Sequence, residues 1–212
     1  MTQIPKSLVS QNLKWLWGVV VMDAAALLLI AFPETFNEAT IKDYAWLRTA
    51  ATAVVPMIVL LLTSLVSADA KAVLVYWRLA DTLPGHRAFS IYAVKDPRID
   101  LDALRKNVGA FPDAAKDQNT MWFKLYKKVD SDVTVAQAHR HYLLFRDLAT
   151  LSLLLAPISA ILLHTVGASL TSSSIAVLVL IGQYIATAVA ARHNGVRFVT
   201  NVLALHAVKR RT

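Results

Sequence analysis

The longest uncharged stretch of this chain runs for 44 residues, from Leu148 to Ala191, without one Lys, Arg, Asp or Glu. A helix that crosses a bilayer needs about 20 mostly apolar residues, so this stretch has room for two such helices. Small and hydroxylated residues over 167–173 interrupt the apolar pattern and mark a turn between them. The sequence therefore predicts an integral membrane protein whose second half contains a transmembrane hairpin.

Two further apolar stretches near the N-terminus predict a second hairpin. Residues 16–32 are apolar apart from Asp23, and residues 50–68 carry no charge. Hydrophobic residues make up 56% of the 212-residue chain and the mean hydropathy is +0.49, whereas soluble domains have an apolar share of roughly 45–50%. The sequence thus predicts four transmembrane helices, at about 15–32, 46–68, 148–166 and 174–191.

Basic residues are distributed unevenly between the two sides of this predicted bundle. Of the 22 Lys and Arg residues, only Lys42 and Arg48 fall on the side that holds the loop between helices 1 and 2. Cytoplasmic segments carry the excess of Lys and Arg, so we expect both termini and the central segment to be cytoplasmic in a bacterial inner membrane. The net charge of +8 is attributed to this bias beside anionic lipid, and no specific nucleic-acid binding is inferred.

The polar segment between helices 2 and 3 is predicted to form a small helical cap on the membrane bundle. Helices 2, 3 and 4 are expected to leave the membrane as stalks. From Ala68 onward helix 2 has no breaker before Pro84-Gly85, helix 3 is capped by Ser131 or Asp132, and helix 4 is broken at most at Asn194-Gly195. Shorter helices are predicted over 101–108, after Asp100, and from Pro112-Asp113 to about Val129, with an extended piece at 86–94.

The predicted fold class is all-α: a four-helix transmembrane bundle with helices 2, 3 and 4 extending into a cytoplasmic cap. The chain is divided into a first hairpin, a cap with its stalks, a second hairpin and a helical tail. Their predicted bounds are 1–68, 69–146, 147–191 and 192–212.

Asp23 is the most informative single residue, because it falls in the middle of predicted helix 1. A carboxylate at the bilayer centre costs about 2.5–3.5 kcal/mol on translocon scales. The other helices are irregular at a matching depth, with Pro56 in helix 2, Pro157 and Ser159 in helix 3 and Gln183 in helix 4. All five residues are predicted to form one intramembrane polar layer.

Two interpretations of this layer stay open. In the first, Asp23 and Gln183 form a hydrogen bond that holds helices together, an interaction worth about 0.6–2 kcal/mol in membranes. In the second, Asp23 attracts cations in a hydrated path or gate, because an intramembrane acid is a functional-site candidate by default.

The cytoplasmic segments carry no catalytic signature, so an enzyme is not expected. The chain has no cysteine, which excludes thiol chemistry; no metal site and no cofactor are inferred. His86 and Arg87 follow a predicted turn, and with Arg140 they suggest a cytoplasmic anion site for a nucleotide, a phospholipid head group or a nucleic-acid end. The alternative is that these are scattered charges of the cytoplasmic side.

Three short segments carry a resemblance to known proteins. Trp77-Arg78-Leu79 with Leu83-Pro84-Gly85-His86-Arg87-Ala88-Phe89-Ser90, then Gln118 to Tyr126, then Leu143 to Asp147 resemble a pattern of small bacterial multi-pass membrane proteins of unassigned function. In architecture, over most of the chain, four spans with a helical cap are similar to the pore-forming effectors of bacterial antiphage defence. That resemblance implies a pore that depolarises the membrane; no residue role is transferred from it.

The function expected from these observations is an oligomeric, membrane-depolarising pore gated by a cytoplasmic signal. Four spans of one chain leave little room for an aqueous pore, so several copies would have to surround it. The alternative is a non-conducting membrane scaffold whose cap binds a partner protein. The expected partners are the lipid bilayer, further copies of the chain, and a cytoplasmic regulatory protein or nucleotide.

Overall fold

A computed structural model describes residues 8–31, 57–165 and 167–208 of the chain. Every regular element in those ranges is helical, which confirms the all-α prediction for the described part. Pro56 and the first half of predicted helix 2 lie outside the described residues. The longer helices are α1 Leu8–Ala31, α2 Met57–Leu65, α3 Ala68–Tyr76, α4 Leu101–Val108, α5 Ala115–Lys127, α6 Val133–Thr165 and α7 Leu170–Val208.

The chain divides into two compact units, which we call the apolar unit and the polar unit. The apolar unit comprises Met1–Lys71 and Leu144–Ala188, and the polar unit comprises Ala72–Leu143 and Val189–Thr212. Both boundaries in the second half of the chain fall inside helices, in α6 and in α7. Each of these long helices therefore contributes one segment to each unit.

Two helices of the described part are long and apolar enough to cross a membrane: α6, with 33 residues, and α7, with 39. A third span would result if α2 and α3 were counted as one broken helix, although their axes differ by 82°. The structure thus supports a transmembrane helical protein. The four-helix bundle with a cytoplasmic cap remains a prediction.

The bend between α2 and α3 corrects the prediction that helix 2 continues without interruption to Pro84-Gly85. The break falls at 66–67, where the Ser67 hydroxyl accepts a hydrogen bond from the Ala70 amide (3.2 Å) and so caps α3. Helix α3 then ends at Tyr76, because Trp77 adopts a left-handed backbone conformation with φ of 52°. Serine occurs both inside membrane helices and at helix N-caps, so the presence of Ser67 in an apolar stretch does not predict the bend.

The prediction of an extended piece at 86–94 is wrong. The chain there forms a 3₁₀ turn, Pro84–Arg87, a wider π-type turn, Ala88–Tyr92, and a single α-turn, Ala93–Lys95. The Gln118 side chain of α5 accepts hydrogen bonds from the amides of Phe89 and Ser90. These amides are therefore satisfied by a distant side chain, which the local sequence does not reveal.

Other predicted boundaries are closer to the structure. Asp100 and Asp132 cap α4 and α6 by accepting hydrogen bonds from backbone amides two and three residues ahead. The predicted start of a helix after Asp100 is confirmed, and of the two predicted caps of α6, Ser131 and Asp132, the structure shows Asp132. Helix α7 begins at Leu170, earlier than the predicted 174, because Ser169 caps it. It also continues through Asn194-Gly195 without a break.

The polar unit is built on a core rich in aromatic side chains. Phe198 of α7 is at its centre. Trp122 and Tyr126 of α5 meet the Phe198 ring edge-on, with ring centres 5.1 and 5.0 Å away, and the His139 ring of α6 stacks on it with a centre-to-centre distance of 4.4 Å. Such pairs stabilise a fold by about 0.5–1.5 kcal/mol beyond area burial. The core therefore holds α5, α6 and the end of α7 together.

One buried apolar cluster of the described part of the apolar unit joins three helices. Its buried members are Leu16 of α1, Val59 of α2 and Leu148 and Leu151 of α6. Large apolar side chains remain exposed on every helix of this unit, among them Met22, Leu61, Leu65, Ile161, Leu162 and Leu178. A surface of this kind suits contact with lipid or with another protein chain.

Candidate functional sites

The structure brings two of the predicted polar-layer residues into direct contact. The Gln183 amide of α7 donates a hydrogen bond from Nε2 to Oδ2 of Asp23 in α1, with a length of 3.0 Å. These residues are 160 positions apart in sequence, and both side chains are only partly buried. Both interpretations of the layer include this hydrogen bond. They differ in whether water reaches the Asp23 carboxylate, so the exposure of the pair is the relevant observation.

Apolar surface surrounds the Asp23–Gln183 pair. Met22, next to Asp23, is 70% exposed, and Val179, one turn before Gln183, is also exposed. A Cβ atom placed on Gly182 would meet no heavy atom within 4 Å. The partly open carboxylate thus lies on a surface that would otherwise face lipid, where a charged group is costly.

The remaining members of the predicted layer have other environments. The Ser159 hydroxyl is buried and donates to the backbone carbonyl of Ala156 in its own helix (2.8 Å). Pro157 is exposed, and α6 continues through it without interruption. Since Pro56 lies outside the described residues, the structure supports a contact between two predicted members and places Ser159 in a local hydrogen bond.

A buried charged cluster lies where α6 enters its apolar stretch. Lys71 Nζ and Arg146 Nη2 each lie 3.1 Å from the same oxygen, Oδ1 of Asp147. The side chains of Lys71 and Asp147 are 8% and 5% exposed. The neighbouring pair Arg146-Asp147 is visible in the sequence, but Lys71 is 76 residues away and had no signal to connect it with them.

The predicted anion-site residues are engaged in local contacts. Arg87 donates from Nη1 to the Asp81 carbonyl oxygen (2.6 Å), and His86 Nδ1 lies 3.2 Å from the Leu83 carbonyl oxygen. Arg140 lies on α6, partly buried. None of the three lines the cleft that the polar unit presents.

That cleft has a volume of about 350 Å³ and combines aromatic and charged side chains. The Arg105 guanidinium lies 4.9 Å from the centre of the Phe111 ring, which stacks on Phe89 at 4.9 Å. A small ligand with a planar or anionic group would suit such a lining. Sequence reasoning missed Arg105 as a lining residue, since only the fold brings α4 beside the turn after Ala88. The lining is Phe89, Ser90, Arg105, Ala110, Phe111, Pro112, Asp113 and Gln118.

Gln118 forms the wall of this cleft. Its Oε1 atom accepts from the Phe89 amide (3.2 Å), the Ser90 amide (3.1 Å) and the Ser90 hydroxyl (3.1 Å), while Nε2 donates to the Asp113 carbonyl (3.2 Å). An amide oxygen has two lone pairs, so these contacts occupy it. Gln118 therefore shapes the cleft through its amide oxygen.

The turn after Lys95 contains an ion pair, and the arginine of this pair joins the turn to α7 by hydrogen bonds. Arg98 lies 2.7 Å from Asp96 and also donates to Thr200 (3.0 Å) and Asn201 (3.1 Å). The hydrogen bond from Arg98 lowers the pKa of the Asp96 carboxyl to about 2, and the same contact raises the pKa of Arg98. Asp96 is therefore ionised in the folded protein at neutral pH.

A close contact joins α3 to α7 within the polar unit. Gly195 faces Tyr76 and Tyr142, so a Cβ atom at this position would collide with the Tyr76 hydroxyl. Nearby, the Arg192 guanidinium lies 3.5 Å from the centre of the Trp77 ring and donates from Nε to the Val75 carbonyl. Glycine is needed at 195 for this close approach, although α7 is regular there.

No protein-family model, curated protein or solved structure matches this chain. Among the described residues, no group of three or more His, Asp or Glu side chains is arranged to hold a metal ion. The class supported by the fold is a transmembrane helical protein with a separate polar helical unit.

Proposed function

We propose that this protein is a multi-pass inner-membrane protein that assembles into a pore and depolarises the membrane when its cytoplasmic cap receives a signal. The observation that carries the proposal is the partly exposed Asp23–Gln183 pair on an otherwise apolar surface. A hydrogen bond buried only to hold two helices together would be better sealed from lipid. The exposed part of the carboxylate calls for water or another polar group from a second copy.

A single copy has too few helices to enclose water. The exposed apolar side chains of α1, α2, α6 and α7 provide surface through which several copies can associate, with Asp23 facing the axis. Conduction of cations would follow from an acidic lining. The distribution of Lys and Arg supports cytoplasmic termini, and the resemblance to antiphage effectors motivates the depolarising role.

The experiment compares bacteria that express the wild type or Asp23→Asn, with a membrane-potential dye and with membrane levels matched by immunoblot. Asp117→Asn, an exposed acid of α5, is the matched control for the loss of one carboxylate. We expect depolarisation by the wild type and the control but not by Asp23→Asn. Equal depolarisation by all three proteins would contradict a role for Asp23 in conduction.

A second candidate function is a non-conducting membrane scaffold. The specific observation in its favour is the cleft of about 350 Å³ in the polar unit, together with the aromatic core that keeps its shape. In this case Asp23–Gln183 would only join α1 to α7. Expression without any change in membrane potential, together with a co-purifying protein that Arg105→Ala releases, would favour the scaffold over the pore.

A further inference from the structure

Both ends of α3 contact residues that flank the uncharged stretch of 44 residues. Near the start of α3, Lys71 Nζ lies 3.1 Å from Oδ1 of Asp147, the residue that directly precedes the stretch. At the end of α3, the Val75 carbonyl accepts a hydrogen bond from Nε of Arg192, the residue that directly follows the stretch. The first contact lies within the apolar unit and the second within the polar unit. Helix α3 is thus held at both ends by residues that mark the limits of the apolar stretch.

The two limits of this stretch belong to one membrane surface, because a chain that crosses the bilayer in α6 and again in α7 returns to the surface from which it started. A helix rises about 1.5 Å per residue, so α3, with nine residues, is roughly 13 Å long. A stalk perpendicular to the membrane would carry its end away from the surface by this length. The bend of 82° between α2 and α3 also turns the chain out of the axis of α2. These observations favour a helix that runs along the membrane surface over the stalk expected from the sequence.

The turn that follows α3 exposes large apolar side chains at the same level. Trp77 is 53% exposed and Leu79 is 93% exposed, and the Arg192 guanidinium lies 3.5 Å from the centre of the Trp77 ring. Since Arg192 directly follows the uncharged stretch, Trp77 lies at the depth where the apolar part of α7 ends. Tryptophan is enriched at this depth in membrane proteins, because its ring is apolar and its N–H group is polar. The two exposed side chains therefore suit the head-group region of a bilayer.

The backbone of this turn holds Leu79 in its exposed position. Trp77 and Asp81 adopt left-handed conformations, with φ of 52° and 47°, which are uncommon for residues other than glycine. The Arg87 guanidinium donates from Nη1 to the Asp81 carbonyl oxygen (2.6 Å) and so fixes the end of the turn. Conformations of this kind persist only where the surrounding structure compensates their cost. The exposure of Leu79 is therefore a defined feature of the turn.

We propose that α3 and the turn 77–82 form an interfacial anchor, in which α3 lies along the membrane surface and Trp77 and Leu79 insert between lipid head groups. The two charged residues of the turn, Arg78 and Asp81, have opposite signs, so the anchor binds lipid by burying apolar and aromatic surface and does not require anionic lipid. This inference rests on the crossings by α6 and α7 in the proposed function, but not on conduction. The anchor fixes the depth at which the chain passes from the apolar unit into the polar unit.

The test measures the depth of single nitroxide labels in the full-length protein, reconstituted in nanodiscs of phosphatidylcholine. Because the chain has no cysteine, a label can be attached at Leu79→Cys alone. Its accessibility to oxygen, which concentrates in lipid, is compared with its accessibility to a water-soluble nickel complex. We expect the label to be reached more by oxygen than by nickel, with the same ratio in nanodiscs of phosphatidylglycerol. A preference for oxygen that appears only in phosphatidylglycerol would contradict an anchor based on apolar burial.

Two control labels define the limits of this scale. Leu178→Cys, on the exposed apolar surface of α7, should report lipid, and Asp102→Cys, at a side chain that is 98% exposed in the polar unit, should report water. The inference is overturned if Leu79→Cys matches Asp102→Cys while Leu178→Cys reports lipid. It is also overturned if neither reagent reaches Leu79→Cys, which would show that another protein chain covers the turn. A label at Leu178→Cys that reports water would overturn the crossing by α7, and this inference with it.

A charged substitution tests the insertion without disturbing a buried core. Since Leu79 is almost fully exposed, Leu79→Asp should fold normally, but it places a carboxylate among the lipid head groups. We expect the nickel accessibility of a label at Arg78→Cys to rise several-fold in this variant. Val94→Asp, which changes another exposed apolar residue of the polar unit, should leave it unchanged. Equal nickel accessibility with and without Leu79→Asp would show that Leu79 does not insert into lipid.

Discussion

The two units of this protein use side chains of similar apolar character in opposite ways. In the polar unit, large apolar residues point inward to a core around Phe198, and polar groups join the turns to the helices. In the apolar unit, many large apolar residues point outward, and the contacts between distant helices include the Asp23–Gln183 hydrogen bond and the Lys71–Asp147 ion pair. The polar unit thus encloses an aromatic core, whereas the described helices of the apolar unit combine a buried apolar cluster and a few polar contacts with a large exposed apolar surface.

This contrast has a consequence for function. Isolated polar contacts in an apolar environment are worth little each, so they can open and close without unfolding the helices around them. A core of interlocking aromatic rings is more rigid. The proposed function would use this difference, with the signal received by the more rigid polar unit and conduction performed by the more adaptable apolar unit.

The largest effect is expected for the aromatic core. Trp122→Ala should reduce the free energy of unfolding by about 3–5 kcal/mol, because it removes a large side chain that is only 7% exposed and packs on Phe198. Phe123→Ala, the neighbouring residue in α5, is the control, since Phe123 is 49% exposed. Thermal unfolding in detergent would measure both; equal losses would show that burial in this unit is not as described.

The second-largest loss of stability is expected at the contact of α3 and α7. Gly195→Ala forces a Cβ atom against the Tyr76 hydroxyl, and overpacking of this kind costs about 1–3 kcal/mol. Gly182→Ala, in the same helix but in open space, should be neutral or stabilising, since alanine is the better helix former by about 1 kcal/mol. Limited proteolysis and unfolding midpoints would compare them. If both variants behaved alike, the close approach at 195 would be wrong.

The smallest effect is expected for the Asp96–Arg98 pair and depends on pH. The pKa of Asp96 is about 2 in the folded protein and 3.8 without its partner, so the ionised pair stabilises the fold above about pH 4. This stability is lost as the pH falls from about 4 to about 2. Because the Arg98 side chain is 54% exposed, solvent screening limits the contribution to about 1 kcal/mol.

Unfolding midpoints measured between pH 5 and pH 2 would test this dependence. Asp96→Asn should flatten the loss of stability, whereas Asp102→Asn, which removes a carboxylate that is 98% exposed, should not change it. A wild-type curve identical to that of Asp96→Asn would show that the pair does not contribute to stability.

Whether a structural feature can be predicted from the sequence depends on how far apart along the chain the residues that determine it lie. Asp100 and Asp132 cap helices that begin at the next residue, so their role follows from local chemistry. Asp23 and Gln183 are 160 residues apart in the sequence. Counting residues from the ends of the two apolar helices nevertheless places both side chains at the same depth in the predicted bundle. Residue counts of this kind need no knowledge of packing.

Other features depend on contacts that a single sequence does not show. Gln118 accepts hydrogen bonds from the helical turns at Phe89 and Ser90 from 28 or 29 residues away, whereas the local sequence of this stretch predicts an extended piece. Lys71, which follows the bend of 82° after Leu65, contacts Asp147 from 76 residues away along the chain. Arg105 likewise lines the cleft only after α4 has packed beside Phe111.

The most direct test of the pore is the access of water to position 23. The chain has no cysteine, so a single thiol can be introduced and treated in membranes with a charged, membrane-impermeant thiol reagent, which reacts with the hydrated thiolate. A hydrated path at position 23 predicts that Asp23→Cys is modified whereas Leu178→Cys, on the exposed apolar surface, is not. Protection of Asp23→Cys, with modification of Thr171→Cys at the exposed start of α7, would contradict a hydrated path and favour the scaffold.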